Sequence, residues 1–289
     1  MDMEKAYDLA IAGGGIAGYC AALTAKSLRL DAVWLAPEAF GEKTRAAEYV
    51  RNYPAFTGDG KAFTKALEAQ CEREGVVFTR ARVDGVYKQK EGFLLTAGQQ
   101  TFSAKTVILA TGVEQRGSVK GEREFFGRGV SYCAVCDGAL YRKKTIAAVV
   151  TQPHFAEEAE YLAGFAEKVH CFCLYAGARF KSENIEVHSG APQEITGGGR
   201  VEKVVYGGEN IAVSGVFFLK NSTPPEALCG GLRTDGAHIV TAKDGSTNIA
   251  GLFAAGDVTG TPYQYAKAAG EGLVAAYSAK NYLSSLEKR

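Results

Sequence analysis

Short apolar runs alternate with alanine-rich helical segments along the chain. An apolar run at residues 7–12 is followed by a glycine-rich turn and then by residues 19–28, which have a helical composition. The same order of strand, turn and helix returns at residues 146–165. Alternation of this kind predicts βαβ units and therefore parallel sheets. Two longer patterns predict helices over residues 63–74 and 263–282.

The remaining apolar runs are short and predict strands. They cover residues 32–35, 76–83, 86–89, 93–96, 100–103, 106–112, 169–174, 216–219, 237–240 and 252–255. The runs between residues 76 and 103 suit a small antiparallel layer, because they follow one another closely. Residues 186–206 form a further stretch of strand composition that glycines interrupt.

The turn after the first strand carries glycines at three spaced positions. It reads Gly13-Gly14-Gly15-Ile16-Ala17-Gly18. Between a strand and a helix, the first glycine permits a tight turn, the second lets the backbone approach a pyrophosphate, and the third lets the helix pack on the strand. The context favours a dinucleotide site over a plain glycine turn. The acid that usually binds the ribose is missing near Ala36, so Glu38 or another contact would replace it.

Two later strands also end in small residues. The first leads into Ala110-Thr111-Gly112 and the second into Gly256-Asp257. Small residues in such turns allow the backbone to approach a cofactor closely. The helix that starts near Tyr263 would direct its N-terminus toward the same cofactor.

The candidate chemistry centres on Cys133-Ala134-Val135-Cys136, which Asp137 follows directly. Such a pair can be half of a zinc site, two inert thiols or a redox disulfide. The other five of the seven cysteines form no second pair of this spacing, so we predict no metal site and favour the redox disulfide. Asp137 could then give a proton to a leaving thiolate and take it back on the return.

Length, composition and charge indicate the number of domains, the classes of partner and the location of the protein in the cell. The chain has 289 residues, of which 46% are hydrophobic and 22% charged, and its formal net charge is +1. This length suits two domains, and the near-neutral charge gives no signature of nucleic-acid binding. No apolar run reaches the ~18 residues of a membrane span, and no signal peptide is recognisable. We therefore expect a cytoplasmic protein with no membrane association, a setting in which a CxxC pair is more often catalytic than structural.

Taken in order, these motifs resemble the low-molecular-weight thioredoxin reductase family over essentially the full chain. The resemblance implies an α/β flavoprotein with two Rossmann-like domains of three ββα layers, non-covalent FAD and a homodimeric assembly. It implies an FAD domain split between residues 1–113 and 244–289. A central domain over residues 114–243, with a degenerate NADPH-type fold, would carry the CxxC pair.

The resemblance also implies roles for individual residues. Cys136 would face the flavin, Cys133 would attack thioredoxin, and Asp137 would be the acid. The implied cofactor-binding residues are Gly13, Gly15, Ile16, Ala17, Gly18, Lys43, Asn52, Val83, Ala110, Thr111, Gly112, Gly256, Asp257, Tyr263 and Gln264.

Two of these positions depart from the family pattern. Lys43 stands where relatives usually have a glutamine, and a cation beside the flavin would raise its potential. Lys43 is equally compatible with an exposed loop. Tyr263 stands where relatives commonly have an arginine, and either contacts the flavin or packs at the start of the last helix.

Three parts of the family's NADPH site are missing, although the FAD and CxxC motifs are intact. Residues unsuited to a phosphate cradle occupy their places: Val150-Thr151-Gln152-Pro153-His154-Phe155, Cys173-Leu174-Tyr175-Ala176 and Lys220-Asn221-Ser222. In the first of these, bulky side chains replace small residues and Pro153 removes an amide donor. We therefore predict that the protein does not use NADPH.

An electron donor other than NADPH must then reduce the flavin. The pattern resembles the pyridine-nucleotide-independent branch of the family, the ferredoxin-dependent flavin thioredoxin reductases. Reduced ferredoxin would deliver electrons singly through FAD to the Cys133–Cys136 disulfide, and the resulting dithiol would reduce thioredoxin. Ferredoxins are acidic, so their docking face should be basic. The candidate clusters are Lys43 with Arg45, Lys61 with Lys65, residues 116–128 and Arg142-Lys143-Lys144.

Three other functions stay open at this point. The first is an FAD-dependent dithiol oxidase that passes electrons to oxygen. The second is a non-enzymatic FAD-binding or redox-sensing protein. The third is NADPH use through a reshaped pocket.

Overall fold

The computed structural model describes residues 6–37, 40, 42–45, 47–113, 119–220 and 223–287, without the side chains of Glu42, Lys43 and Cys136. The chain divides into two compact units. The first comprises Met1–Val113 and Pro224–Arg289, and the second comprises Glu114–Thr223.

The amino-terminal stretch of the first unit contains most of its strands. Its elements are β1 (Tyr7–Ala12), α1 (Ile16–Ser27), β2 (Ala32–Ala36), α2 (Glu42–Arg45), β3 (Val50–Tyr53), β4 (Phe56–Gly58), α3 (Gly60–Glu74), β5 (Thr79–Arg80), β6 (Gly85–Lys88), β7 (Phe93–Ala97) and β8 (Gln100–Leu109). The predicted strand over residues 76–83 is reduced to β5, because pairing with β2 reaches only Thr79 and Arg80.

The second unit is inserted between the two parts of the first. Its elements are β9 (Val130–Ser131), α4 (Ala134–Asp137), β10 (Thr145–Val150), α5 (Ala156–Ala163), β11 (Lys168–Cys173), β12 (Ile185–Ser189), β13 (Glu194–Thr196), β14 (Lys203–Tyr206), β15 (Glu209–Ala212) and β16 (Val216–Leu219). Short 3-10 turns at Gly138–Tyr141 and Pro153–Phe155 follow α4 and β10.

The chain then returns to the first unit. The returning elements are α6 (Pro225–Leu228), β17 (Thr234–Asp235), β18 (His238–Ile239), β19 (Leu252–Ala254) and α7 (Tyr265–Leu286). The predicted last helix thus starts two residues later and ends four residues later than expected.

Strand β8 belongs both to the parallel part and to the antiparallel part of the first unit's sheet. The sheet order is β5-β2-β1-β8-β7-β6, and β19 also pairs with β8. Sequence analysis predicted two strands between residues 100 and 112, but β8 is continuous, because Ala104 pairs with both Phe93 of β7 and Tyr7 of β1. Its first half belongs to the antiparallel layer, and its second half lies parallel to β1 and β19.

The carboxyl ends of three parallel strands lie at the same level. Ala12 of β1 pairs with Leu109 of β8, which pairs with Ala254 of β19. The loops that follow these strands therefore leave the sheet at one edge, the usual ligand-binding edge of an open parallel sheet. Below them, α1 and α7 pack closely, since a Cβ at Gly272 would lie 2.2 Å from the carbonyl oxygen of Ala17.

The second boundary between the units differs from the expected one. Residues 224–243 belong to the first unit rather than to the inserted one. Leu228, Cys229, Leu232 and Ile239 are buried in the same apolar cluster as strands β6–β8 of that unit. The return to the first unit is therefore at Pro224, not at residue 244, because apolar side chains of this segment complete its core.

The second unit is a parallel sheet with a small antiparallel meander. The sheet order is β12-β11-β10-β16-β9, and the meander consists of β13, β14 and β15. One sheet face packs on α5 through a cluster that includes Ile146, Leu162 and Phe217. The α/β fold with two nucleotide-binding-type units is thus confirmed. None of the described helices combines the length and apolar character needed to cross a membrane.

Candidate active site

The glycine turn between β1 and α1 is open at one of its three spaced glycines. A Cβ at Gly13 would lie 2.1 Å from the carbonyl oxygen of Ala110, and one at Gly18 would lie 2.0 Å from that of Gly13. A Cβ at Gly15 would meet nothing within 4 Å. Packing therefore requires Gly13 and Gly18, whereas Gly15 leaves space beside the helix start.

The start of α1 offers backbone amides to that space. Its N-cap, Gly15, makes no side-chain capping bond, and the first turn contains no acidic residue. The first amides of a helix lack intrahelical acceptors and carry the positive end of the helix dipole. Ile16 and Ala17 bury their side chains in the core, so they present backbone only. This turn has the properties of a phosphate cradle.

The loop after β8 contains a buried hydroxyl without a partner. The Ala110 amide donates to the Ala12 carbonyl oxygen at 2.7 Å, which holds the loop against β1. Thr111 Oγ1 is buried and makes no hydrogen bond in the structure. The next residue, Gly112, has φ +68 and open space around it. Because a buried hydroxyl without a partner is costly, this loop is shaped to contact a ligand.

Two side chains of α7, which sequence reasoning missed, hold the loop after β19. Lys267 Nζ donates to the carbonyl oxygens of Gly256 and Gly260 at 3.0 and 2.9 Å. Glu271 Oε2 accepts from the Gly256 amide at 2.8 Å and lies 3.1 Å from Lys267 Nζ. Asp257, half-buried, begins a 3-10 turn within this clamped loop. The Lys-x-x-x-Glu spacing at the start of a predicted helix was the available signal.

Residues from distant parts of the chain meet near the start of α7. Asn52 Nδ2 donates to Gln264 Oε1 at 2.7 Å, so two predicted cofactor residues lie side by side. Tyr263 contacts His238, with 2.6 Å between its hydroxyl and the imidazole Nε2. Tyr263 therefore has a protein partner in this structure, and His238 joins the residues that sequence reasoning had left aside.

The remaining predicted cofactor residues give less information. Val83 is buried in the core of the first unit, so it can contact a ligand only through its backbone. The backbone of Lys43 belongs to α2, and its side chain lies outside the described residues. Glu38 lies outside them as well.

The CxxC motif lies where a short strand meets a one-turn helix in the second unit. Cys133 follows β9 and precedes α4, which contains Cys136 and Asp137. Cys133 is disulfide-bonded, whereas Cys20, Cys71, Cys171, Cys173 and Cys229 are free. The side chain of Cys136 lies outside the described residues, so its pairing with Cys133 stays a prediction.

Ser131 links the Asp137 carboxylate to the backbone of Cys133, and sequence reasoning missed it. Its hydroxyl donates to Asp137 Oδ2 at 2.6 Å and accepts from the Cys133 amide at 3.1 Å. Ser131 is buried on β9, so its position is set by the sheet. It therefore fixes the carboxylate relative to the backbone of the cysteine. A serine two residues before the CxxC pair was the only signal.

A buried ion pair lies beside the same strand end. Lys220 Nζ donates to Glu122 Oε1 at 2.6 Å, and the Tyr132 hydroxyl donates to the same oxygen at 2.8 Å. Both charged side chains are almost fully buried. Such a pair is costly to break, because removing one partner leaves a buried charge. Lys220 is thus committed to Glu122 and Tyr132.

The turn between β10 and α5 is filled by side chains. Val150, Thr151 and Phe155 are 0%, 0% and 3% exposed. Both the amide and the hydroxyl of Thr151 donate to the Leu219 carbonyl oxygen at 3.1 Å. The first turn of α5 contains Glu157 and Glu158. This turn occupies the place equivalent to the glycine turn of the first unit, yet it contains larger side chains, and acidic residues follow it in the first turn of the helix.

Three cysteines outside the CxxC motif, Cys20, Cys71 and Cys229, are poor candidates for redox chemistry. Burial raises the pKa of Cys20 and of Cys71 to about 11. Burial also raises the pKa of Cys229. The thiolate is the reactive form, so these thiols are inert at neutral pH.

Comparison with known proteins agrees with this geometry. The family model for pyridine nucleotide-disulphide oxidoreductases matches residues 7–272. This chain belongs to that family. A thioredoxin reductase of Listeria monocytogenes is 32% identical over 307 residues, covering 99% of this chain and 96% of that protein. A thioredoxin reductase of Aquifex aeolicus is 32% identical over 318 residues, with the same coverage.

Solved structures of the family are also similar. A ferredoxin-flavin thioredoxin reductase from Clostridium acetobutylicum is 37% identical and matches with a TM-score of 0.90, over 96% of this chain and 98% of that one. A thioredoxin reductase from Gloeobacter violaceus is 28% identical with a TM-score of 0.76, over 96% and 94% of the two chains. The resemblance to low-molecular-weight thioredoxin reductases is confirmed.

FAD is the cofactor of this family and of this chain. The first unit fits it, because the open space at Gly15, the amides of α1 and the buried Thr111 hydroxyl lie at one sheet edge. Bound there, FAD would supply an electron carrier between single-electron and two-electron partners.

Substitution by alanine should have different effects at Gly15 and at Gly13 of the first turn. Gly15→Ala should fold normally, because its Cβ meets no protein atom and its φ of −81 suits alanine. The methyl group would stand where a pyrophosphate must approach, so we expect flavin affinity to fall about tenfold or more. The visible flavin absorbance per chain and the dissociation constant for added FAD measure this.

The matched variant is Gly13→Ala. Here φ is +130 and the methyl group would lie 2.1 Å from the Ala110 carbonyl oxygen, so folding itself should suffer. Full flavin occupancy in Gly15→Ala, at unchanged affinity, would show that the cradle is not at this glycine.

Proposed function

We propose that this chain is a flavoprotein thioredoxin reductase that takes its electrons from reduced ferredoxin instead of NADPH. FAD in the first unit would pass them to a Cys133–Cys136 disulfide, and the dithiol would reduce thioredoxin. The supporting observation is the contrast between the two turns that a family member could use for nucleotides.

The turn of the second unit opposes a pyrophosphate in three ways. The buried side chains of Val150 and Phe155 stand where a pyrophosphate-binding turn needs small residues. Pro153 replaces an amide donor at the start of the 3-10 turn. Glu157 and Glu158 place negative charge at the helix end that would have to attract phosphate. None of these features occurs at α1, whose first turn is uncharged and open.

The other parts of a nucleotide pocket are also committed to the protein. After β16, Lys220 is buried and bonded to Glu122, so it is not available to bind phosphate. At the end of β11, Cys173 is buried, and the following Leu174 donates its amide to Val150. Asn221 and Ser222 lie outside the described residues. The burial of Lys220 and Cys173 supports the proposal that no dinucleotide binds to this unit.

Similar proteins suggest the alternative donor. The structures from Clostridium acetobutylicum, at TM-scores of 0.88 and 0.90, are of a ferredoxin-flavin thioredoxin reductase. Exposed basic residues suited to an acidic donor are present: Lys61 and Lys65 on α3, and residues 142–144 after α4. The Lys43 side chain and Arg116 lie outside the described residues.

In the proposed reaction, Cys133 and Cys136 exchange their disulfide with that of thioredoxin. The Cys133 thiolate attacks the disulfide of thioredoxin, one thiol of thioredoxin leaves, and a mixed disulfide forms. The Cys136 thiolate then attacks Cys133, which releases the second thiol of thioredoxin and restores the internal disulfide. Asp137, held by Ser131, gives the proton that a leaving thiolate needs. Two electrons pass from the dithiol to thioredoxin in this sequence.

A homodimer in the cytoplasm is part of the proposal. Leu273, Val274 and Tyr277 are exposed on α7. Exposed apolar and aromatic residues on one helix are typical of a protein interface, and a second copy of the chain would cover them.

An assay of thioredoxin reduction with different electron donors tests the proposal. Oxidised holoenzyme with thioredoxin should turn over when enzymatically reduced ferredoxin is supplied anaerobically, and the rate should fall with added salt, because acidic and basic faces attract less strongly. NADPH and NADH should support no turnover above that of a Cys133→Ser control. Turnover with NADPH would overturn the donor assignment. If a small dithiol bleaches the flavin and air restores it, while ferredoxin does nothing, the protein is a dithiol oxidase.

A double-mutant cycle tests the Ser131–Asp137 link. Asp137→Asn should lower the thioredoxin reduction rate by about 100-fold, in the range of lost general acid catalysis. Ser131→Ala should lower it by less, about tenfold, because the carboxylate remains but is no longer held. Since Ser131 acts through Asp137, the double variant should be no slower than Asp137→Asn alone.

The control is flavin reduction by ferredoxin, which should be unchanged in all three variants. Multiplicative losses in the double variant would mean that Ser131 supports the fold independently of Asp137.

A further inference from the structure

Three potential metal ligands lie together on the edge of the second unit's sheet. β11 and the edge strand β12 are parallel, with His170 opposite Glu186 and Phe172 opposite His188. Alternate residues of a strand point to one face, so His170, Glu186 and His188 share a face of this pair of strands. Scattered in sequence, they become neighbours through strand register alone.

Their ligand atoms all lie within 4.8 Å of one another. His170 Nδ1 is 3.0 Å from His188 Nε2 and 3.8 Å from Glu186 Oε2. His188 Nε2 is 3.4 Å from Glu186 Oε1. Tetrahedral zinc with bonds of about 2.0–2.2 Å separates its ligand atoms by about 3.3–3.6 Å. The three distances lie on both sides of that value, so a metal ion requires only small shifts of these side chains.

The two imidazoles are largely buried and are held by neighbouring aromatic side chains. The side chains of His170 and His188 are 10% and 13% exposed. His188 stacks on Phe172 at 4.7 Å between ring centroids, and Tyr206 of β14 contacts its edge. Imidazoles that packing holds in a fixed orientation are well placed to bind a metal ion.

We propose that His170, Glu186 and His188 bind a divalent transition-metal ion, with zinc as the ion they suit best. Two imidazoles and a carboxylate are a common zinc set, and the fourth position is left for water. The ion would connect β11 to the exposed edge strand β12. This site is separate from the CxxC motif and does not depend on the proposed electron donor.

Lys168 competes with the metal for Glu186. Its Nζ lies 2.6 Å from Glu186 Oε2, and both side chains are about half exposed. Zinc binding would displace the ammonium group, which can turn into water on its flexible stem. Removal of this cation should therefore strengthen metal binding, an effect that a purely structural hydrogen-bond network would not produce.

Zinc uptake by the oxidised holoenzyme tests the site. After equilibrium dialysis against micromolar Zn²⁺, metal analysis should give about one zinc per chain. His170→Ala and His188→Ala should lose this zinc. His154→Ala should keep it, because His154 is an exposed histidine of the same unit and belongs to no such cluster among the residues that the structure describes. The cysteines are identical in all of these proteins, so zinc held by thiols would appear in every variant.

Two milder variants keep the test decisive if an alanine variant fails to fold. Glu186→Gln preserves the shape and should weaken zinc binding by about tenfold or more, since it removes a direct ligand. Lys168→Gln should bind zinc several-fold more tightly than the wild type. Absence of zinc in the wild type, or equal zinc in the wild type and in Glu186→Gln and His188→Ala, would overturn the proposal.

Discussion

The whole first unit depends on the level at which β1, β8 and β19 end. Register pairs Ala12 with Leu109 and Leu109 with Ala254, so three loops leave one sheet edge together. The loops then approach so closely that Gly13 has no room for a Cβ against Ala110. Trp34 fixes the turn further by donating from Nε1 to the Gly13 carbonyl oxygen at 2.7 Å. Close packing of backbone leaves open space beside Gly15 and Gly112, which preorganises the cofactor site before any ligand arrives.

The second unit uses its own parallel sheet for a different purpose. Where the first unit keeps a gap, the second buries Val150 and Phe155, and each fully buried apolar side chain of this size stabilises the fold by about 1.5–3 kcal/mol. The Glu122–Lys220 pair and the Thr151–Leu219 bonds complete this closed end. The end of the second unit's sheet is thus a coherent core, and this core supports the proposal that the unit carries the CxxC motif without binding a second nucleotide.

Local patterns predicted the parts of the structure that local chemistry determines. The glycine turn, the CxxC motif and the small-residue loops could be identified because each needs particular residues at fixed spacing. The continuity of β8 could not, because it depends on Ala104 pairing on both sides with strands far away in sequence. The return at Pro224 was missed for a related reason, since Leu228 and Ile239 gain their role only from the core they enter.

The missed side chains follow the same rule. Ser131, Lys267 and Glu271 have no motif of their own, and their contacts exist only once strands and helices are packed. His170, Glu186 and His188 are brought together only by the register of β11 with β12.

The central claim is that only one of the two units can hold a nucleotide. Calorimetric titration of NADPH into the oxidised, FAD-loaded protein tests it directly, without any assumption about the physiological donor. The account predicts no saturable heat up to about 1 mM NADPH, a limit equivalent to a binding free energy weaker than about −4 kcal/mol. Saturable binding of one NADPH per chain, with FAD retained, would show that the filled turn between β10 and α5 still accommodates a dinucleotide and would contradict the account.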